Sequence, residues 1–246
     1  MCGFSPALAK PAVELRRHGC RTRSTHGYTI VVVGYFTQSS YVPASRGRRS
    51  SQLSGDDREQ AILAVAERLL AERPLGDFSV DELAKGAGIS RPTFYFYFPS
   101  KNAVLLSLLD HLNIKSRSAV EALAEQLPAD PAAVWRSVIA AFFEVCGTHR
   151  AVAVAGAAAK ATSPEVRQLW SKVMQQWIDY NTAAIKAERK RGVAPDTIPA
   201  EDLAVALHLM TERVMAATFA DEKPLIPDKK VIDTLVHIWL ASIYGS

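Results

Sequence analysis

Apolar residues recur every three or four positions along most of the chain beyond residue 56, and no useful length of it alternates with the period of two that a half-buried strand requires. Between 56 and 73, Ile62, Val65, Ala66 and Leu69 form one helical stripe; Asp56, Asp57 and Glu59 favour the positive helix start, and Pro74 ends it. Further helical stripes are predicted over 104 to about 127, 131–146, 151–161, 163–191, 199–219 and 228–244. Turn chemistry separates them at 128–131, Gly147, Ser163-Pro164, 192–195 and 224–227. The expected fold class is all-α.

The stretch SVDELAKGAGISRPTFYFYFPSK, residues 79–101, carries the densest local signal. Ser79 with Glu82 spells a capping box, in which the hydroxyl takes an amide hydrogen three residues on and the carboxylate reaches back to the Ser79 amide, so a helix should begin at Val80. Val80, Leu83, Ala84 and Ala87 share its inner face, and Gly86 with Gly88 frees the backbone for a sharp turn before Ile89 returns to the core. Ser90 caps a second helix that tolerates Pro92 in its first turn and stops at Pro99. Two short helices joined by a tight turn are a helix-turn-helix layout. Phe94 and Phe98, four apart, are expected to pack on the preceding helix, leaving Thr93, Tyr95 and Tyr97 as exposed hydroxyl groups beside Arg91. Such groups suit phosphates and base edges. Ser100 caps the next helix and places Lys101 in its first turn, where ammonium and helix dipole would draw a DNA phosphate. The expected DNA-facing set is Ser79, Ser90, Arg91, Thr93, Tyr95, Tyr97 and Lys101.

Charge distribution adds a second element. The formal net charge is +4, but residues 1–55 hold eight Lys or Arg against Glu14, a local +7 that leaves −3 for the remainder. DNA affinity must then rest on a few placed cations, which adds Arg46, Arg48 and Arg49, just before the first helix, to the expected set. Residues 1–55 read either as an arm that lies along a groove or as a solvated, disordered basic tail. The first forty residues lack sustained periodicity and resemble neither a signal peptide nor a domain, so translation is expected to begin further in, at one of Val31 to Val33 or at Val42.

The remaining composition narrows the function classes. A 48% hydrophobic content over 246 residues can bury a sizeable core. Uninterrupted apolar runs fall far short of the roughly 20 residues of a membrane helix. Cys2, Cys20 and Cys146 form no CxxC pair, so neither a disulfide framework nor a four-ligand zinc site is indicated, and a cytoplasmic location is expected. The sequence offers no support for an enzyme: residues 156–160 lack the glycine spacing of a phosphate loop, and the six histidines show no ligand spacing. No cofactor or metal is expected.

In the C-terminal half, Trp135 and Phe142, Trp177, and Trp239 fall on the inward faces of three helices. Aromatics at helical spacing bury area efficiently and on their own are ordinary core. Polar residues among them change that reading. Asn181 lies one turn beyond Trp177, and His208 with Thr211 shares a face of a helix that is apolar nearly all round, with Leu203, Leu207, Met210 and Val214 on another. Buried polar groups on such a helix must find partners or line a cavity.

The head, with its turn, aromatic recognition helix and following Ser-Lys, resembles the DNA-binding domain of the TetR family of bacterial repressors. The likeness extends from about Arg46 to Gly245 and includes GDDRE at Gly55, AKGAGISRPTFYFYFPSK at Ala84, ATS at Ala161 and DTLVHIW at Asp233, matching a mycobacterial branch of that family. The expected organisation is a disordered basic tail over 1–55, from its charge and composition, and, as the resemblance implies, a DNA-binding domain over 56–105 and a ligand-binding and dimerisation domain over 106–246. It also implies a homodimeric repressor on a palindromic, double-stranded DNA operator, a small hydrophobic effector in an apolar tunnel, and control of a neighbouring flavin-dependent monooxygenase gene. Trp135, Phe142, Trp177 and Trp239 match the aromatic walls of the tunnel in that branch. The polar positions depart from it: His208 and Thr211 stand where the branch carries two ligand-binding asparagines, and Asn181 stands where it carries a threonine.

Overall fold

The computed structural model describes residues 55–123 and 130–245; the expectations for residues 1–54, including Arg46, Arg48, Arg49 and the internal start, lie outside them. Within the described residues every regular element is helical. The order is α1 (Gly55–Glu72), a 3-10 turn (Leu75–Asp77), α2 (Val80–Gly86), α3 (Arg91–Tyr97), α4 (Lys101–Leu123), α5 (Pro131–Thr148), α6 (Arg150–Thr162), α7 (Pro164–Lys190), α8 (Ala200–Ala220) and α9 (Asp228–Tyr244).

Helices α1 to α3 form a small head around Ile62, Leu83 and Phe94, each fully buried. The predicted stripe of α1 is its buried face, since Ile62, Val65, Ala66 and Leu69 all point into this core. Helix α4 belongs to both halves of the molecule: Val104 and Leu105 are buried near the head, and Leu112, Ser116 and Val120 are buried farther along in the body.

In the body, α7 and α8 share the most extensive helix contact, followed by α4 with α5 and α5 with α9. Helices α5 and α6 meet at 89°, hinged at His149. The turn docks the head as well, because His149 Nδ1 lies 2.5 Å from Glu67 Oε1 of α1 and its Nε2 lies 3.0 Å from Lys115 Nζ of α4. Lysine can only donate, so the imidazole accepts at Nε2 and donates from Nδ1. Gly156 allows α6 to cross α4 closely: a Cβ there would stand 2.5 Å from Leu109 Cδ2.

Among the described helices α8 is long and apolar enough to cross a membrane by length and composition, although polar residues interrupt its apolar run. Its apolar character has another use here. Leu203, Ala204, Leu207, Met215 and Phe219 are all buried in the bundle, as expected for a helix flanked on more than one side.

Candidate DNA-reading head and ligand cavity

The head is assembled from local hydrogen bonds that the sequence announces. Ser79 Oγ accepts from the Glu82 amide at 3.2 Å, and the Glu82 carboxylate accepts from the Ser79 amide at 2.8 Å, completing the capping box. Together with Arg73, whose guanidinium donates to the same carboxylate, the Ser79 amide holds the Glu82 carboxyl at about 2. Gly88 adopts φ +68°, a left-handed conformation that places the Ile89 amide on the Ala84 carbonyl at 3.0 Å and closes the turn. Ser90 Oγ then accepts from the Thr93 amide at 3.2 Å and starts α3. Ser79 and Ser90 are thereby helix caps first; their hydroxyl groups are already engaged inside the head.

On α3, Phe94 and Phe98 are buried as expected, at 0% and 6% exposure. The outward face differs from the expectation. Tyr97 is half-buried, with its hydroxyl near Gly55 at the start of α1, whereas Phe96 is 83% exposed and Tyr95 is 45% exposed. The helical repeat explains the exchange, because residue 97 lies three positions from Phe94 and so flanks the buried stripe, while 96 lies opposite. Thr93 is half-buried, with its hydroxyl 2.8 Å from Ser90 Oγ.

The two cations are also engaged. Arg91 pairs with Asp81 of α2 at 2.8 Å and donates to the Tyr95 hydroxyl at 3.3 Å, and its guanidinium sits 5.7 Å from the Tyr95 ring centre. Lys101 turns away from the open helix start. Its Nζ donates to the carbonyls of Phe78 at 2.9 Å and Gly76 at 3.1 Å and lies 5.7 Å from the Phe78 ring centre. Lys101 thus ties α4 to the turn between α1 and α2, a structural role beside the phosphate role read from its position.

In the body, an apolar cavity of about 110 Å³ is walled by α4, α5, α6, α7 and α8. Of the residues expected to bind ligand, Phe142, Trp177, His208 and Thr211 line it. Trp135, Trp239 and Asn181 stand one layer behind. Trp135 and Trp239 pack on each other at 5.0 Å between ring centres, and Trp135 faces a separate cavity of about 50 Å³ bordered by Tyr180 and Tyr244. The indole of Trp239 donates to Thr211 Oγ1 at 2.9 Å, and the Asn181 amide donates to His208 Nδ1 at 3.4 Å. These two therefore orient the polar residues that do face the cavity.

Burial pushes the His208 imidazole down to about 4, so it is neutral at physiological pH. With Nδ1 accepting from Asn181, the ring proton resides on Nε2. Burial also pushes the Cys146 thiol, on the same wall, up to about 12 and makes it a poor nucleophile.

Sequence reasoning passed over three features of the wall. Trp170 lines the cavity, and its seven-residue spacing from Trp177, two turns of α7, was the available signal. Glu212 lines it and pairs with Lys160 at 3.0 Å, where the ammonium lies 4.9 Å from the Trp170 ring centre. Asn113 lines it from α4, and no periodic pattern marks that residue.

The comparisons with known proteins agree with this architecture. Residues 62–108 match the model for bacterial regulatory proteins of the tetR family, and residues 135–245 match that for the transcriptional regulator EthR, C-terminal domain. The HTH-type transcriptional regulator EthR of Mycobacterium tuberculosis is 59% identical over 209 residues, covering 84% of this chain and 96% of that protein. EthR of Mycolicibacterium smegmatis is 56% identical over 210 residues, covering 85% and 97%. Among solved structures, a TetR-family regulator from Agrobacterium tumefaciens superposes with a TM-score of 0.60 at 18% identity, over 77% of this chain and 98% of that one. One from Streptomyces coelicolor gives 0.58 at 23%, over 77% and 81%. The relatives are regulators of transcription, not enzymes. A helix-turn-helix head on an all-α body, with this identity along most of both chains, makes the protein an EthR-like member of the TetR family of bacterial transcriptional regulators.

Proposed function

We propose that the protein is a homodimeric, cytoplasmic repressor whose two α3 helices enter successive major grooves of a palindromic operator, and that a small, elongated, mostly apolar molecule in the body cavity controls it. Tyr95 and Phe96 present the exposed aromatic face of α3, and the Arg91 guanidinium lies against Tyr95. Helices α8 and α9 pair with their copies in the dimer. By kinship the regulated gene is a neighbouring flavin-dependent monooxygenase.

One observation carries the coupling between ligand and DNA. Helix α4 forms a wall of the cavity through Leu109, Leu112, Asn113 and Ser116, and its first residue, Lys101, is bonded into the head. A cavity of about 110 Å³ is smaller than the roughly 300–1,000 Å³ of ordinary ligand pockets. An elongated occupant must part the walls, and α4 is a wall that continues directly into the head. The ligand then shifts the protein between arrangements by its difference in affinity for them, typically 1 to 3 kcal/mol of coupling.

The test is a fluorescence-anisotropy titration of the full chain against the DNA flanking its own gene, at two salt concentrations with nonspecific competitor. Salt-sensitive binding that survives competitor is expected, and Tyr95→Ala should weaken it by roughly 1 to 3 kcal/mol while the fold stays intact. Binding lost equally to competitor, or an unchanged affinity in the variant, would overturn the assignment of the reading surface.

A further inference from the structure

A groove of about 320 Å³, larger than the body cavity, lies between α1 of the head, α4 and the hinge at His149. Its volume reaches the range of ordinary ligand pockets. The floor is apolar: Leu63 of α1, Leu108 and Leu112 of α4 and Val152 of α6 line it. On the α1 edge Ala64 is exposed and too small to close the opening, and on the α4 edge Ile114 keeps 49% of its surface in water. A small apolar molecule laid between these edges would take that surface out of water.

The polar side of the groove favours one sign of charge. His111 and Lys115 stand one turn apart on the α4 edge. Among the described residues no carboxylate lies within ion-pair distance of Lys115; its ammonium donates to Nε2 of His149, an uncharged acceptor, and has further donors to offer. Glu67 is held on the other side of that ring, accepting from His149 Nδ1, so the imidazole stands between the acid and the ammonium.

We propose that this groove is a second effector site and that it takes a small monocarboxylate with a compact apolar body. The body covers the leucine floor, and the carboxylate accepts from Lys115, with His111 one turn away. A single negative charge suits the site, because Glu67 also lines it and repels the second charge of a dicarboxylate or a phosphate dianion. The site does not depend on the ligand-cavity reading, yet it is placed to influence that cavity. Its occupant touches α1, α4 and the hinge together, and Leu112 lines groove and cavity alike. Whatever an occupant of one does to the affinity of the other is returned in equal measure.

The probes are 4-phenylbutyrate and its neutral isostere 4-phenylbutanamide, titrated into the full chain by calorimetry, with hydrogen exchange to locate each. The wild type is expected to bind the acid about fivefold or more tighter than the amide, and added salt should narrow the difference. Exchange should slow over 60–67 and 108–115, which border the groove, and not over 169–177, which border the cavity. Lys115→Met keeps the apolar stem and removes the charge, so the preference should fall to within about twofold. Ala64→Phe fills the groove from an exposed position and should weaken the acid about tenfold or more, with circular dichroism to verify that both variants fold. No binding of the acid, equal wild-type affinity for acid and amide, protection confined to 169–177, or acid binding unchanged in both variants would each overturn the site and leave the cavity reading standing.

Discussion

The head and the body are built from the same element, yet they are held together by different means. In the head, the capping box, the Gly88 turn and the Ser90 cap join residues within six positions of one another, so geometry follows from nearest-neighbour chemistry. In the body, Trp239 meets Thr211 across 28 residues, Asn181 meets His208 across 27 and Trp135 meets Tyr244 across 109. A locally specified module can keep one shape while the surface it presents is varied. A cavity wall drawn from five helices can be reshaped by any of them.

That contrast is broken most sharply by Phe94→Ala, the largest effect expected. Phe94 is wholly buried at the centre of a head too small to repack around it, and the loss should be about 3 to 5 kcal/mol. If the head is held chiefly by its own contacts, hydrogen exchange will accelerate over 80–97 and leave 164–220 protected. Equal acceleration in both regions would mean that the head has no independent cohesion.

His208 gives the next largest effect, from the body. Its folded pKa of about 4 lies below the ordinary 6.5, so between those values the unfolded chain binds more protons and stability rises with pH. The contribution is fully present above about pH 6.5 and is lost as pH falls towards about 4, roughly 3 kcal/mol in all. Urea midpoints measured across that window should fall more steeply for the wild type than for His208→Asn; parallel curves would mean that the imidazole is not desolvated.

The smallest effect sharpens the comparison at the surface. Asp81→Asn removes the exposed pair with Arg91 and should leave stability nearly unchanged, since solvent screens such a pair. It should raise affinity for nonspecific DNA, because Arg91 no longer has to leave a carboxylate to meet a phosphate, and a competitor titration reads this directly. A fall in that affinity would show that Asp81 positions Arg91 productively.

Legibility from sequence follows the same division. The helix starts at Val80 and Arg91, the glycine turn and the buried Phe94 and Phe98 were readable because each depends on residues a few positions away. The exchange of Tyr97 for Phe96 was readable in principle from the three-residue spacing and was hidden by the attraction of hydroxyl groups as DNA contacts. Trp135 and Trp239 face inward as their spacing predicts, but periodicity fixes a face of a helix and not which neighbour meets it; the two pack on each other, and Trp170 takes a place on the cavity. Lys101 could be placed in a first turn, but its long side chain folds back on carbonyls 23 and 25 residues earlier, a contact no local rule contains. Asn113 carries no pattern at all, and its place on the cavity wall follows from how α4 packs in the body.

The Lys101 clamp has a mechanical consequence. With its first residue bonded to the turn before α2, α4 is tied to the head, and the twelve helical steps from Lys101 to Asn113 make an arm of about 18 Å. Each degree of rotation about the cavity end would carry the head through about 0.3 Å, so a few degrees at the cavity would become a shift of about 1 Å at α3.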